Sequence, residues 1–266
     1  MQASTETLTL PSLTTEIYRK GDGPTLVLIP GGGAAKSSWY PIIDRLAADN
    51  VGCVTYDNRG VGGASDIGDS VSIRDFAEDA AELIDALGDG PVHVCGVSMG
   101  GLIAMRLASE HPELVSTLGL HSTSARLDQR VHEVLAFRAD LLDSGLGPDA
   151  LRRFVALTAA GSDGAIPDLP EGVVDKQGFN RHNYQAQMQA ALDHDMTLTE
   201  LEKIDCPTLI TVGNDDILNP PENSRALHRA IRNSVMVTIE GGGHGYYLVH
   251  PELVAALQGG WIRQHV

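Results

Sequence analysis

Val92-His93-Val94-Cys95-Gly96-Val97-Ser98-Met99-Gly100-Gly101 is the stretch on which the fold turns. Val92–Cys95 is short and mostly β-branched, the composition of a strand buried on both faces of a parallel sheet. Leu102–Leu107, just beyond, reads as an apolar helix. Between them a Gly-x-Ser-x-Gly spacing marks a sharp strand-to-helix turn that lifts the Ser98 hydroxyl above the sheet edge. Glycines at 96 and 100 remove side chains that would collide in such a turn. The helix N-terminus beneath the hydroxyl favours developing negative charge. Ser98 is therefore the candidate nucleophile.

The same alternation continues in both directions. Thr25–Ile29, Cys53–Tyr56, Leu114–Leu120, Thr208–Val212 and Val235–Ile239 are further apolar runs bounded by Gly, Pro or Asp, and each reads as a buried strand. Residues 73–87 place Phe76, Ala80, Leu83, Ile84 and Leu87 at helical spacing, with Ser72 and Asp75 as an S-x-x-D start signal. Residues 222–232 and 247–258 read as helices as well. Two GDGP turns, Gly21–Pro24 and Gly88–Pro91, each precede a strand. The alternation breaks from about Ser122 to Thr199, where only helical patterns and the loop Gly161–Gly172 occur. An α/β sheet interrupted in this way is one domain carrying a helical insertion. HPELV occurs at His111–Val115 and again at His250–Val254, with nothing around the copies that matches; the pair is read as coincidence and not as an internal repeat.

Composition narrows the function. The chain has 266 residues, 42% hydrophobic and 20% charged, which suits a folded protein and excludes a disordered one. Lys and Arg number 19 against 35 Asp and Glu, a net charge of −16. A field of that sign repels phosphate backbones and anionic lipid, so neither nucleic acid nor a membrane surface is an expected partner. No window approaches the unbroken apolar length of a membrane span, and the start MQASTETLTLPSLTTE has no leader pattern. Cys53, Cys95 and Cys206 lie far apart and lack metal-ligand spacing, so they are expected as reduced, packed thiols in a cytoplasmic protein.

A serine nucleophile needs a base, and the base needs an orienting acid. Thr208–Val212 runs into Gly213-Asn214-Asp215-Asp216, an acidic loop at the C-terminal end of a strand. Val235–Ile239 runs into Glu240-Gly241-Gly242-Gly243-His244-Gly245, a histidine in a glycine loop. Both lie where open α/β sheets build their sites.

With these residues assembled, the chain resembles the α/β-hydrolase superfamily from about residue 15 to the C-terminus, apart from the helical insertion. The elbow around Ser98, the Pro30-Gly31-Gly32-Gly33 turn with Trp39, the Tyr56–Gly60 segment, Gly213–Asp216 and Gly243-His244 carry the likeness. The resemblance implies a mostly parallel, doubly wound sheet with a helical cap inserted after the sixth strand. Residues 1–121 and 200–266 would form the core and 122–199 the cap. It places the acid at Asp216, with adjacent Asp215 as the rival, and the base at His244, with His250 and His121 as less suitable candidates. It implies an oxyanion hole from the backbone N–H of Met99 and of Gly32, with Gly33 as the alternative; Pro30, where the family usually has histidine, cannot donate.

A serine at the elbow disfavours the family's epoxide and halide chemistries, which use aspartate there. The CGVSMGG and YDNRG segments are most similar to the branch of enol-lactonases and small esterases. An ester or lactone hydrolase acting through an acyl-enzyme is the first expectation. A serine C–C hydrolase and a ligand receptor with little turnover are the alternatives. Asp57 and Arg59 are read as a structural turn. No cofactor and no metal are expected, and the partner is a small-molecule substrate. Within the cap, Leu127, Leu135, Phe137, Leu141, Phe154 and Leu157 are candidate pocket walls. Arg126, Arg130, Arg138, Arg152, Arg153, Lys176 and Arg181 are the cations that could meet an anionic group, and no spacing singles one out.

Overall fold

In the computed structural model, residues 3–266 are described except 69, 146, 163, 165, 167, 170–172 and 175–178. Two strands absent from the sequence reading come first: β1 (Ser4–Thr9) and β2 (Thr14–Lys20) form an antiparallel pair, Thr9 opposite Thr14. In β2 the residues alternate, Thr15 and Ile17 fully buried and their neighbours half-exposed. A strand with one face in water has no unbroken apolar run and so leaves no such trace in the sequence.

The rest of the sheet follows the expected runs. In chain order the elements are β3 (Thr25–Ile29), α1 (Tyr40–Ala48), β4 (Gly52–Tyr56), α2 (Ile73–Leu87), β5 (Val92–Val97), α3 (Met99–Glu110) and β6 (Val115–His121). The segment between β6 and the next strand holds α4 (Gln129–Asp143), α5 (Pro148–Ala159), α6 (Arg181–Leu192) and the single turn α7 (Leu198–Leu201). The chain closes with β7 (Thr208–Gly213), α8 (Pro221–Ala230), β8 (Ser234–Ile239), α9 (Tyr246–Val249) and α10 (Pro251–Arg263). Strand order is β1-β2-β4-β3-β5-β6-β7-β8, antiparallel only where β2 is a partner and parallel throughout the remainder.

The period of two along each strand divides the core between two faces. Leu26 and Leu28 of β3, with Cys53 and Cys95, pack against α1, α9 and α10 through Ile43, Leu46, Tyr246 and Val254. Val27 and Ile29, with Val54 and Val94, pack against α2, α3 and α8 through Phe76, Ile84, Ile103 and Leu227. Helices on both faces keep β3 to β6 dry, and the uninterrupted apolar runs are the trace this leaves in the sequence. A third apolar cluster, separate from these two, gathers Val131, Leu135, Leu142, Leu151, Tyr184 and Met188 from α4, α5 and α6.

Helix α2 starts where the sequence signal put it. Ser72 accepts from the Asp75 N–H and the Asp75 carboxylate accepts from the Ser72 N–H, a complete capping box. The run 247–258 is not one helix. His250 (φ −123°, ψ 57°) breaks it into α9 and α10, because a residue before proline is pushed out of helical geometry. His111 takes the same conformation (φ −129°, ψ 58°) ahead of Pro112. The duplicated HPELV is thus one local corner used twice, at the end of α3 and at the start of α10.

Cys53 and Cys95 are buried, Cys206 half-buried, and all three are free thiols. Burial pushes the Cys53 thiol up to about 12, leaving it a small apolar side chain. Among the described residues no helix is long and apolar enough to cross a membrane.

Candidate active site

Ser98 sits between β5 and α3 with φ 55° and ψ −121°, a conformation an L-residue adopts only under constraint, at a cost of about 1–3 kcal/mol. The constraints are visible. The Ser98 N–H donates to the His121 carbonyl at 3.0 Å, and its own carbonyl accepts from Gly101 N–H and the Thr123 hydroxyl, both at 2.9 Å. A Cβ on Gly96 would lie 2.1 Å from the Gly100 carbonyl oxygen, and one on Gly100 would lie 2.2 Å from that of Ile29. Both contacts are with backbone, so neither position accepts a side chain without moving the turn.

Strand β7 leads into the candidate acid. Asp216 is 3% exposed, and its Oδ1 accepts from the backbone N–H groups of Leu218 (2.9 Å) and Asn219 (2.7 Å). Asn219 is tied in turn to the Thr123 carbonyl at 2.6 Å. These bonds aim the carboxylate at the loop after β8, where His244 Nδ1 lies 2.9 Å from Oδ2 and 3.1 Å from Oδ1. An ionised carboxylate only accepts, so Nδ1 carries the proton and Nε2 is left as the basic nitrogen. His244 and Ser98 line the same pocket.

Asp215 points elsewhere. Its carboxylate accepts from the Ser162 N–H at 3.1 Å and from the Ser162 hydroxyl, closing the loop that follows α5. His121 is also removed from the pocket: it is fully buried, with Nδ1 3.0 Å from the Tyr246 hydroxyl and in contact with that of Thr211. Burial pushes its pKa down to about 4, so the ring is neutral. His250 occupies the α9–α10 corner. Asp57 and Arg59 are structural. Asp57 is fully buried and accepts from Lys36 N–H (2.8 Å), Lys36 Nζ (2.7 Å) and Gly63 N–H (2.9 Å), while Arg59 clamps Asp79.

Gly32 and Gly33, the two candidate donors of the Pro30–Gly33 turn, lie in different surroundings. The Gly33 N–H donates to Gln187 Oε1 at 2.8 Å, and Gln187 Nε2 donates to the Arg59 carbonyl at 2.9 Å. Gly32 and Met99 line the pocket beside Ser98. Gln187, fully buried on α6, has no counterpart in the sequence reading. Nothing but tertiary contact distinguishes it from the neighbouring glutamines of that helix.

Helix α4 and the segment before it roof the pocket with Leu127, Val131, Leu135 and Arg138, and α6 adds Met188. Of the six apolar residues put forward from the sequence as walls, Leu127 and Leu135 line it. Phe137 and Phe154 stack on each other at 5.2 Å, with Phe137 half in solvent, and Leu157 is exposed. Among the cations, Arg138 lines the pocket, Arg181 pairs with Asp143, and Lys176 lies outside the described residues.

A mostly parallel eight-stranded sheet wound on both faces, with a serine elbow after the fifth strand, is the architecture of an α/β hydrolase. The chain belongs to that family: its profile, described as alpha/beta hydrolase fold, matches residues 24–251. The chain is 31% identical over 242 residues to BpoC of Mycobacterium tuberculosis, described as a candidate non-heme bromoperoxidase, covering 88% of this chain and 92% of that one. The crystal structure of BpoC superposes with a TM-score of 0.81 at 26% identity, covering 98% of both chains. The candidate carbamate hydrolase RutD of Caulobacter sp. strain K31 is 30% identical over 237 residues, 87% of each chain. An esterase from Exiguobacterium antarcticum shares the fold with a TM-score of 0.85 at 23% identity, over 98% of this chain and 100% of its own.

Proposed function

We propose that this hydrolase cleaves a small carboxylic ester or lactone through an acyl-enzyme, with Ser98 as nucleophile, His244 as general base and acid, and Asp216 as the orienting acid. The observation that carries the reading is the 2.9 Å approach of His244 Nδ1 to Asp216 Oδ2. Asp216 holds Nδ1–H, so Nε2 is free to take the Ser98 proton as the hydroxyl attacks the carbonyl carbon. The tetrahedral oxyanion is met by the N–H of Met99, first in α3 and without a carbonyl partner inside the helix, and by that of Gly32. Gly33 is excluded from this role by its bond to Gln187. His244 then returns the proton to the leaving alcohol, and a water activated by the same Nε2 releases the acid. Residues 122–199 act as the cap that roofs the reacting carbonyl, and the partner is a small molecule.

Relatives described as candidate carbamate hydrolases put a carbamate in the substrate panel beside esters and lactones. The direct test is Ser98→Ala assayed on that panel with circular dichroism as the control for folding. Turnover should fall by about 10⁴-fold or more in a folded protein. Normal turnover in folded Ser98→Ala would end this reading.

A further inference from the structure

One charged group in the pocket has no part in the chemistry above. Val131, Leu135 and Arg138 follow i, i+4, i+7 spacing on α4, which brings all three to one face, and all three line the pocket over Ser98. Arg138 is only 8% exposed. Its Nη2 meets the Thr158 hydroxyl at 3.3 Å, its guanidinium lies 6.0 Å from the centre of the Phe154 ring, and its Nε has no hydrogen-bond partner. No carboxylate pairs with it among the described residues.

The other buried guanidiniums differ. Arg59 is clamped by Asp79, and Arg106 pairs with Glu200 at 2.6 Å and Glu110 at 3.2 Å. An arginine side chain stays charged at any working pH, and a buried charge without a counter-ion is costly. Among the described residues that line the pocket none is an acid, and Arg138 and His244 are the titratable ones. Against a net charge of −16 for the whole chain, the pocket that holds Ser98 also holds a cation with no carboxylate partner among the described residues.

We propose that Arg138 is an anion subsite and that the substrate is a short ester or lactone bearing a carboxylate, seated on the Arg138 guanidinium while Ser98 attacks the ester carbonyl. The inference rests on the serine-hydrolase reading and deepens it. A planar guanidinium with free donors matches a carboxylate. A single cation suits a monoanion better than a phosphate, which recruits several donors. The cavity is about 60 Å³. A water occupies roughly 10–15 Å³ on that measure, so the space holds a handful of heavy atoms, which suits a short acyl group.

The test is a set of three methyl esters of matched size, followed by pH-stat with the full chain. Monomethyl succinate carries the carboxylate, methyl succinamate is its neutral isostere, and methyl 4-aminobutanoate carries an ammonium. For the wild type, kcat/KM should be at least about tenfold higher for the carboxylate than for the amide, with the ammonium slowest. In Arg138→Gln the carboxylate-to-amide ratio should fall to about one, and Arg138→Lys, which keeps the charge, should retain part of it. Equal rates on all three esters, abolished by Ser98→Ala, would leave the hydrolase reading standing and overturn the subsite. If none is turned over, succinate binding decides: a rise in Tm for the wild type that Arg138→Gln lacks supports the subsite, and no rise overturns it. Should Arg138→Gln fail to fold, the wild-type ranking of the three esters decides alone.

Discussion

The loops at the C-terminal edge of the sheet and the helices between β6 and β7 face each other across one pocket, but they are built differently. On the sheet side every group is pinned by backbone. Ser98 is fastened to His121 and Thr123, Asp216 is fixed by two N–H donors, and the turn glycines leave no room for a Cβ. On the helix side the contributions are a face of α4, Leu127 ahead of it and Met188 of α6, held by packing. In the proposed mechanism the contrast separates two jobs: the rigid edge would carry the bond-breaking chemistry, and the helical roof would set what enters. Substitutions on the edge should strike kcat, whereas those on the roof should alter which substrate is preferred.

The largest effect should come from the edge and should separate two adjacent residues. Asp216→Asn removes the acceptor that fixes the His244 tautomer, and turnover should fall by about 10³ to 10⁴. Asp215→Asn touches only the Ser162 loop and should cost less than about tenfold. Steady-state kinetics on both variants decides, and the reverse ranking would transfer the acid to Asp215.

A smaller effect tests where edge and roof meet. Gln187 is a roof residue that holds the oxyanion turn through Gly33. Gln187→Leu leaves that N–H unpaired and should loosen the Gly32 donor, lowering kcat by about 10- to 100-fold with KM within about threefold. A change confined to KM would make Gln187 a packing residue of the cap.

The smallest concerns acid. Burial pushes His121, beneath the edge, and His194, beyond the end of α6, both down to about 4. Each is neutral in the fold and gains a proton on unfolding below about 6.5, so its contribution is complete above that pH and fades as pH falls toward 4. Between pH 7 and pH 6 each should remove about 0.7 kcal/mol of stability. Urea unfolding at the two pH values checks this, and His194→Gln should take its own share out of the difference.

The same contrast explains what was legible in the sequence. Buried parallel strands leave unbroken apolar runs, and a strained elbow demands glycines at fixed offsets, so β3 to β7, the elbow and the two loop ends are legible directly. β8, expected to be buried, is an edge strand with Val235 exposed, its apolar run marking a strand without two covered faces. β2 is not legible in this way, because a strand with one wet face alternates and its polar half masks it, and β1 is exposed along nearly its whole length. Helix spacing on α4 is the same whether a face lines a pocket or packs against a neighbour. Leu135 and Phe137 therefore look alike until the fold puts one inside and the other in solvent. Arg138 and Gln187 gain their meaning only from contacts with residues distant in the chain. The family resemblance placed the acid at Asp216 rather than Asp215, and the geometry shows what separates them: one turns toward His244, the other toward Ser162.

The account rests on one covalent bond, between Ser98 Oγ and the substrate acyl carbon. Labelling the folded protein with a small alkyl fluorophosphonate, followed by peptide mass spectrometry, tests it most directly, since such a reagent reacts with a serine only where a neighbouring base activates it. A single adduct on the peptide containing Ser98, lost in Ser98→Ala and slowed strongly in His244→Ala, is the predicted result. An adduct on another residue, or labelling of Ser98 at the same rate without His244, would contradict it.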